Sequence, residues 1–192
     1  ARRARSPIVN LIGDQATWHR RFDAPLTSDI ESLARPVSGW YRDNLSAQTL
    51  AGDVAEAIAQ ASHRPGCVAT LTVPTDCQWE KVAQAFDPLA VPQAPRASAD
   101  VIEEARRILS SDDKVMIIVG GRGTRRQGLE AVARIASGTD CRLAVETFST
   151  RLERGPGLPV LERVPYFPEM AQAFFEGIDR VILAGALDPV AF

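Results

Sequence analysis

The sequence is poor in cysteine and histidine, and neither sign of charge predominates. Its three cysteines are widely spaced and form no C-x-x-C pair, which argues against a disulfide framework or a zinc site and for a reducing compartment. A net charge of -2 gives no electrostatic reason to expect nucleic acid or an anionic membrane as a partner. No run of about 18 apolar residues is present, so no membrane span is predicted and the cytoplasm is the expected location.

What the sequence does contain is an alternation of apolar runs and amphipathic stretches, which is typical of α/β proteins. With 192 residues, 45% of them hydrophobic, the chain is long enough for one or two domains. Residues 7–12 and 67–73 are almost unbroken apolar runs, so both are predicted to be parallel strands buried on both faces. The other elements predicted for this part are helix 30–34, strand 37–41 and helix 47–62.

A proline-rich stretch, 80–98, is predicted to be a linker to a second set of elements. The first of these is a helix that begins at Ser98 and ends near Ser110. Its predicted buried stripe is Val101, Ile102, Ala105, Ile108 and Leu109. Beyond it, the pattern predicts strands 114–119, 142–145 and 180–184 and helices 127–136 and 168–176.

Strands that alternate with helices predict parallel sheets with right-handed crossovers, so the fold class is α/β with two Rossmann-like units. The first five residues are helix-forming and directly precede a strand, which suggests the severed end of a helix. The last residues follow a strand closely and do not resemble the end of a domain. Both units are therefore expected to be incomplete.

The loop after the first strand is the first candidate for chemistry. Ligands of an open parallel sheet bind at the carboxyl ends of its strands, and here that end leads into Trp18, His19 and Arg20. An imidazole can transfer protons near neutral pH, so His19 is the candidate catalytic residue. The alternative is that His19 is an exposed loop residue packed beside Trp18. The other histidine, His63, follows helix 47–62 and is expected to be a surface residue.

A glycine-rich turn after strand 114–119 is the second candidate site. Glycines let a backbone approach a phosphate closely, and the following helix would point its free amides at the anion. The candidate residues are Gly120, Gly121, Arg122 and Gly123, with Glu146 at the end of the next strand as a ribose-binding acid. The third glycine of a dinucleotide fingerprint is missing, so a purely structural turn is the alternative. We expect no tightly bound FAD or NAD, and at most a phosphate near Arg122 and Gly123.

Several residues carry a resemblance to a known family. They are Gly13, Asp23, Ala24, Asp29, Arg35, Pro36, helix 50–61, Pro65, Gly66 and the run 68–76. On these, the chain resembles thiamine diphosphate-dependent enzymes of the acetolactate synthase and benzoylformate decarboxylase superfamily. The resemblance implies that residues 1–79 are the latter part of a pyrimidine-binding domain. It implies that 80–98 are the linker and that 99–192 are a truncated, nucleotide-binding-like central domain.

The resemblance also implies an activity. The family uses thiamine diphosphate and Mg²⁺ to act on 2-keto acids, as carboligases or decarboxylases, and its sites form between subunits of homodimers or homotetramers. Acetolactate synthases carry Asp-Ala-Phe-Gln-Glu where this chain has Asp23, Ala24, Pro25, Leu26 and Thr27. The family's activating glutamate and its Gly-Asp-Gly…Asn motif have no counterpart here, so the chain alone is expected to be inactive. The alternatives are a free-standing Rossmann-like nucleotide-binding module and a non-catalytic structural fragment.

Overall fold

A computed structural model describes residues 1–94 and 96–192. The chain divides into two compact units, Ala1–Pro95 and Arg96–Phe192. Both are built from parallel strands with connecting helices, so the predicted α/β fold class is confirmed. Between Trp79 and Ala99 the described residues form neither helix nor strand, and Pro95 of the predicted linker lies outside the described residues.

The first unit contains a three-stranded parallel sheet. The elements are β1 (Ile8–Asp14), a 3-10 turn (Arg20–Phe22), α1 (Ile30–Ala34), β2 (Trp40–Asp43), α2 (Ala47–Ser62), β3 (Val68–Pro74) and α3 (Thr75–Trp79). The strand order is β1-β3-β2, so the last strand in sequence lies in the middle. Ile8 pairs with Val68 on one side of β3, and Trp40 pairs with Ala69 on the other.

Local signals explain the helices of this unit. The side chain of Asp29 accepts a hydrogen bond from the Ser32 amide at the start of α1, and Ser46 caps α2 in the same way. The three- and four-residue spacing of α2 then puts Ala57 and Ala61 on one face, where they pack against Ala69 of β3. Both predicted helices have the bounds that their caps indicate.

Two strand predictions in this unit need correction. β3 is buried along its whole length, as predicted, but β1 is an edge strand in which Leu11 is 57% exposed. An apolar run shows that a strand can be buried and does not show how many neighbours cover it. β2 begins three residues later than predicted, because the amides of Val37 and Ser38 still bond to Ala34 at the end of α1.

The second unit contains a four-stranded parallel sheet. The elements are α4 (Ala99–Leu109), β4 (Val115–Val119), a 3-10 turn (Gly121–Thr124), α5 (Arg126–Thr139), β5 (Arg142–Val145), β6 (Glu162–Arg163), α6 (Pro168–Phe175) and β7 (Arg180–Ala184). The strand order is β6-β5-β4-β7. β4 is wholly buried, with Ile117 on one side of the sheet and Met116 on the other. Leu129 of α5 packs on the Ile117 side.

Two expectations fail here. α4 has the predicted bounds, but only its last turn reaches the core through Ile108 and Leu109, while Val101 and Ile102 are each 59% exposed. Helical periodicity identifies an apolar face without saying how much of it is covered. The sequence does not predict β6, because two exposed residues are too few to show a strand pattern. Only its pairing with Ala144 and Val145 in the folded chain identifies it as a strand.

Candidate functional site

The carboxyl ends of all three strands of the first unit carry aspartates. Asp14 ends β1, Asp43 ends β2, and Asp76 lies just after β3. Because the strands are parallel, these side chains lie at one edge of the sheet. The loop of residues 15–23 connects to all three, so this edge is the candidate functional site of the unit.

Arg20 joins two of these aspartates. Its Nη1 and Nη2 donate to the two carboxylate oxygens of Asp43, at 2.7 and 2.8 Å. Its Nε lies 2.8 Å from Asp14 Oδ2, an ion pair without hydrogen-bond alignment. The hydrogen bond to Asp43 is the largest influence that raises the pKa of Arg20, followed by the charges of Asp43 and Asp14, and partial burial opposes it.

Thr17 makes the third connection. Its amide donates to Asp76 Oδ1 at 3.1 Å and its hydroxyl to Asp76 Oδ2 at 2.5 Å. These bonds favour the charged carboxylate, so the pKa of Asp76 is lowered, with the Thr17 hydroxyl as the first cause. The loop is thereby tied to β3 as well as to β1 and β2.

The lowered pKa of Asp76 predicts that this side chain stabilises the fold at neutral pH and not in acid. A carboxyl group whose pKa is depressed on folding stabilises the protein above its unfolded pKa of about 4, and that contribution disappears as pH falls through the folded pKa. We therefore expect the Tm of Asp76→Asn to lie below the wild-type Tm at pH 7, with the difference closing below about pH 4. Thermal unfolding from pH 7 to pH 2.5 measures this, with the exposed Asp87→Asn as control. Parallel curves for wild type and Asp76→Asn at all pH values would contradict it.

His19 lies between the two anchors of the loop. Its side chain is half-buried, and its ring centroid is 5.3 Å from that of Trp18 and 5.9 Å from that of Phe22. Its ring therefore packs beside Trp18, although the alternative interpretation also expected it to be exposed. The same contacts are compatible with a proton-transfer role, so His19 stays a predicted catalytic residue.

A cavity of about 280 Å³ opens at this edge of the sheet. Arg20, Tyr41 and Thr72 line it, and His19 does not. Sequence reasoning placed Arg20 in the candidate loop without assigning it a role and missed Asp43, although an aspartate near the end of each strand was a visible signal. The remaining lining residues are Asp14, Thr27, Ser28, Asp29, Ile30, Glu31 and Asp43.

The glycine-rich turn of the second unit is internally bonded. The amide of Gly120 donates to Ala184 O and that of Gly123 to Gly120 O. The amide of Gly121 donates to Glu146 Oε1 at 3.4 Å, and Glu146 Oε2 accepts from Leu187 at the same distance. A phosphate on this turn would have to replace protein partners, and Glu146 already stands where an anion would bind.

Close packing explains two glycines of this region. A Cβ on Gly120 would lie 2.6 Å from the Ala186 Cα and 2.8 Å from the Glu146 carboxyl carbon. A Cβ on Gly128, in the first turns of α5, would lie 2.6 Å from both Cα and O of Gly123. In a dinucleotide fingerprint the third glycine allows the helix to pack closely, and that glycine is missing here. Gly128 instead allows the close approach of α5 to the turn.

The residues of the predicted nucleotide site fall into two groups. Gly121 and Glu146 are bonded to each other. Arg122 and Gly123 line a cavity of about 450 Å³, together with Arg125. At this cavity the first amide of α5, that of Arg126, donates to Glu153 Oε2 at 2.6 Å. The remaining lining residues are Arg126, Gln127, Gly128 and Glu153.

A metal site is not evident in residues 1–94 and 96–192, where no group of three or more His, Cys, Asp or Glu side chains is placed to hold an ion. In the same part of the chain, no helix is long and apolar enough to cross a membrane.

Two successive parallel α/β units, with polar residues gathered at strand ends, place the chain among the multi-unit α/β proteins. No family model matches the sequence. The chain is 46% identical over 193 aligned positions, its whole length, to "Putative acetolactate synthase large subunit IlvX" of Mycobacterium tuberculosis. It spans 37% of the length of that relative.

Solved structures share the fold. The thiamine diphosphate-dependent 4-hydroxybenzoylformate decarboxylase of Rhodococcus jostii matches 98% of the chain with a TM-score of 0.75 at 17% identity. The benzoylformate decarboxylase of Polynucleobacter necessarius matches 98% with a TM-score of 0.67 at 20% identity. The chain covers 38% of each. The predicted resemblance is thus confirmed: the chain is similar over its whole length to a relative named as an acetolactate synthase large subunit, and it shares the fold of solved thiamine diphosphate-dependent decarboxylases over the part that it spans.

Proposed function

We propose that this chain is part of a thiamine diphosphate-dependent enzyme that acts on 2-keto acids, as an acetolactate synthase-like carboligase or a decarboxylase. The whole-length similarity to an acetolactate synthase-like relative carries the proposal. Residues 1–79 are assigned to the pyrimidine-binding domain, 80–98 to the linker and 99–192 to the central domain. The full enzyme is proposed to be cytoplasmic, to need Mg²⁺ and to form a homodimer or homotetramer.

In such an enzyme the cofactor supplies the carbanion chemistry, and the protein positions the reacting groups and excludes water. The loop 15–23 of this chain presents His19 at the carboxyl edge of its sheet, where a proton can be held or transferred. Arg20 pairs with both Asp14 and Asp43, and these ion pairs hold the loop in place.

Leu26 gives a reason to expect a substrate range that differs from that of acetolactate synthases. It stands in the stretch that replaces the family's Phe-Gln-Glu, is 96% exposed and has a φ of 72°. An exposed leucine in the left-handed region is an uncommon and costly arrangement, of about 1 kcal/mol or more. It fits a loop shaped for contact with another molecule.

A substitution at His19 tests the proposal. In a full-length enzyme that carries this chain, we expect His19→Ala to lower kcat by roughly tenfold or more, the usual effect of losing a general acid or base. His63→Ala is the matched control, since His63 is exposed at the end of α2. Steady-state kinetics with 2-keto acids measure both, and unchanged turnover in His19→Ala would assign His19 to the loop's packing alone.

A nucleotide-binding module is the second candidate function. It is favoured by the 450 Å³ cavity, where Arg122, Arg125 and Arg126 gather positive charge and Arg125 Nη1 is buried without a hydrogen-bond partner in the described part of the chain. The predicted ligand at Arg122 and Gly123 is a phosphate group. Isothermal titration calorimetry of the chain with inorganic phosphate and with adenosine diphosphate distinguishes this candidate from the first.

A further inference from the structure

We propose that Arg20 is a positioning residue that fixes the loop 15–23 across the carboxyl edge of the first sheet and thereby holds His19 in place. The kinetic part of this inference rests on the proposed function, whereas the structural part is independent of it.

The strand order shows why a single arginine can do this. β1 and β2 are not neighbours, because β3 lies between them. Arg20 nevertheless contacts Asp14 at the end of β1 and Asp43 at the end of β2, so its guanidinium spans the end of β3. Thr17, three residues earlier, is bonded to Asp76 just beyond β3 itself. The loop is thus attached to all three strands within four residues.

The chemistry of the contact requires arginine. A planar guanidinium can offer two parallel N–H groups to one carboxylate and a third nitrogen to another, whereas a lysine ammonium is a single point of charge. The side chains of Arg20 and Asp14 are only 25% and 15% exposed, so solvent screens this pair less than an ion pair at the open surface. Asp43 is 35% exposed and makes the bidentate contact.

Burial of the neighbouring side chains does not provide an alternative restraint on His19. Trp18 and Phe22, which contact its ring, are 65% and 59% exposed. Side chains that remain largely in water order a loop weakly. Backbone bonds from the His19 amide to Ala16 O and from the Phe22 amide to His19 O shape the turn itself. What ties this turn to the sheet is the pair of side-chain anchors on either side of His19, Thr17 and Arg20.

Two-dimensional NMR of the ¹⁵N-labelled 192-residue chain tests the inference, because the sequence has only two histidines and His63 serves as an internal reference. In Arg20→Gln we expect the His19 ring resonances to move toward those of an unstructured peptide and amide exchange in residues 15–23 to accelerate about tenfold or more. His63 and the amides of β3 should not change. Arg20→Lys should behave like Arg20→Gln, and Arg96→Gln, an exposed arginine in the linker, like wild type.

Unchanged His19 resonances and loop exchange in Arg20→Gln, or a wild-type result for Arg20→Lys, would overturn the inference. If Arg20→Gln does not fold, Asp43→Asn decides the question: it keeps the contact with Asp14, and it must loosen the loop for the inference to hold. In a full-length enzyme, Arg20→Gln should lower kcat, and adding it to His19→Ala should cause little further loss. A loosened loop with unchanged kcat would reject the role of His19 and retain that of Arg20.

Discussion

Incubated with thiamine diphosphate, Mg²⁺ and pyruvate, the 192-residue chain is expected to release no carbon dioxide. The family anchors the diphosphate through a magnesium ion held by a Gly-Asp-Gly…Asn motif, and this sequence contains no such motif. Without the anchor, the cofactor is not held where its reactive carbon could meet a substrate.

The measurement is a continuous assay of carbon dioxide release, with a complete decarboxylase of this superfamily as positive control. Benzoylformate should be tested beside pyruvate, since an inactive result with one substrate alone could reflect specificity. Release above the rate of a reaction without protein would contradict the prediction. It would mean that the residues described here can hold and activate the cofactor.

The purified chain is also expected to be colourless and free of bound dinucleotide. In open α/β sheets, a dinucleotide binds in the crevice where the strand order reverses. In the second unit that point lies between β4 and β7, beyond the ladder that ends with the bond from the Gly120 amide to Ala184 O. Glu146 bonds to the amides of Gly121 and Leu187 at this place. A flavin diphosphate would have to displace this carboxylate.

Absorbance between 350 and 500 nm, before and after denaturation, tests this prediction, and calorimetry with adenosine diphosphate extends it to colourless nucleotides. Glu146→Gln is the informative variant, because it removes the negative charge and keeps an oxygen that can accept a hydrogen bond. We expect no flavin or dinucleotide binding in wild type and, at most, weak binding of a phosphate near Arg122 and Gly123, which Glu146→Gln should strengthen at the turn. A yellow preparation that releases flavin, or micromolar binding of adenosine diphosphate by wild type at the turn, would show that the crevice opens.

Local signals predicted most of the secondary structure. α1 and α2 have the bounds that their capping residues and periodicity indicate, and β5 and β7 coincide with the predicted strands 142–145 and 180–184. Each of these signals lies within a few residues of the element that it specifies. The resemblance rested on short runs such as 68–76, which the sequence displays directly.

The sequence by itself determined the α/β class, the positions of most elements and the resemblance to thiamine diphosphate-dependent enzymes, because caps, periodicity and motifs are local properties of the chain. Only the tertiary structure decided which side chains meet. Arg20 joins Asp14 and Asp43 because the order β1-β3-β2 brings strands distant in sequence to one edge. Glu146 closes the glycine-rich turn for the same reason, since strand pairing, not spacing along the chain, places it beside Gly121.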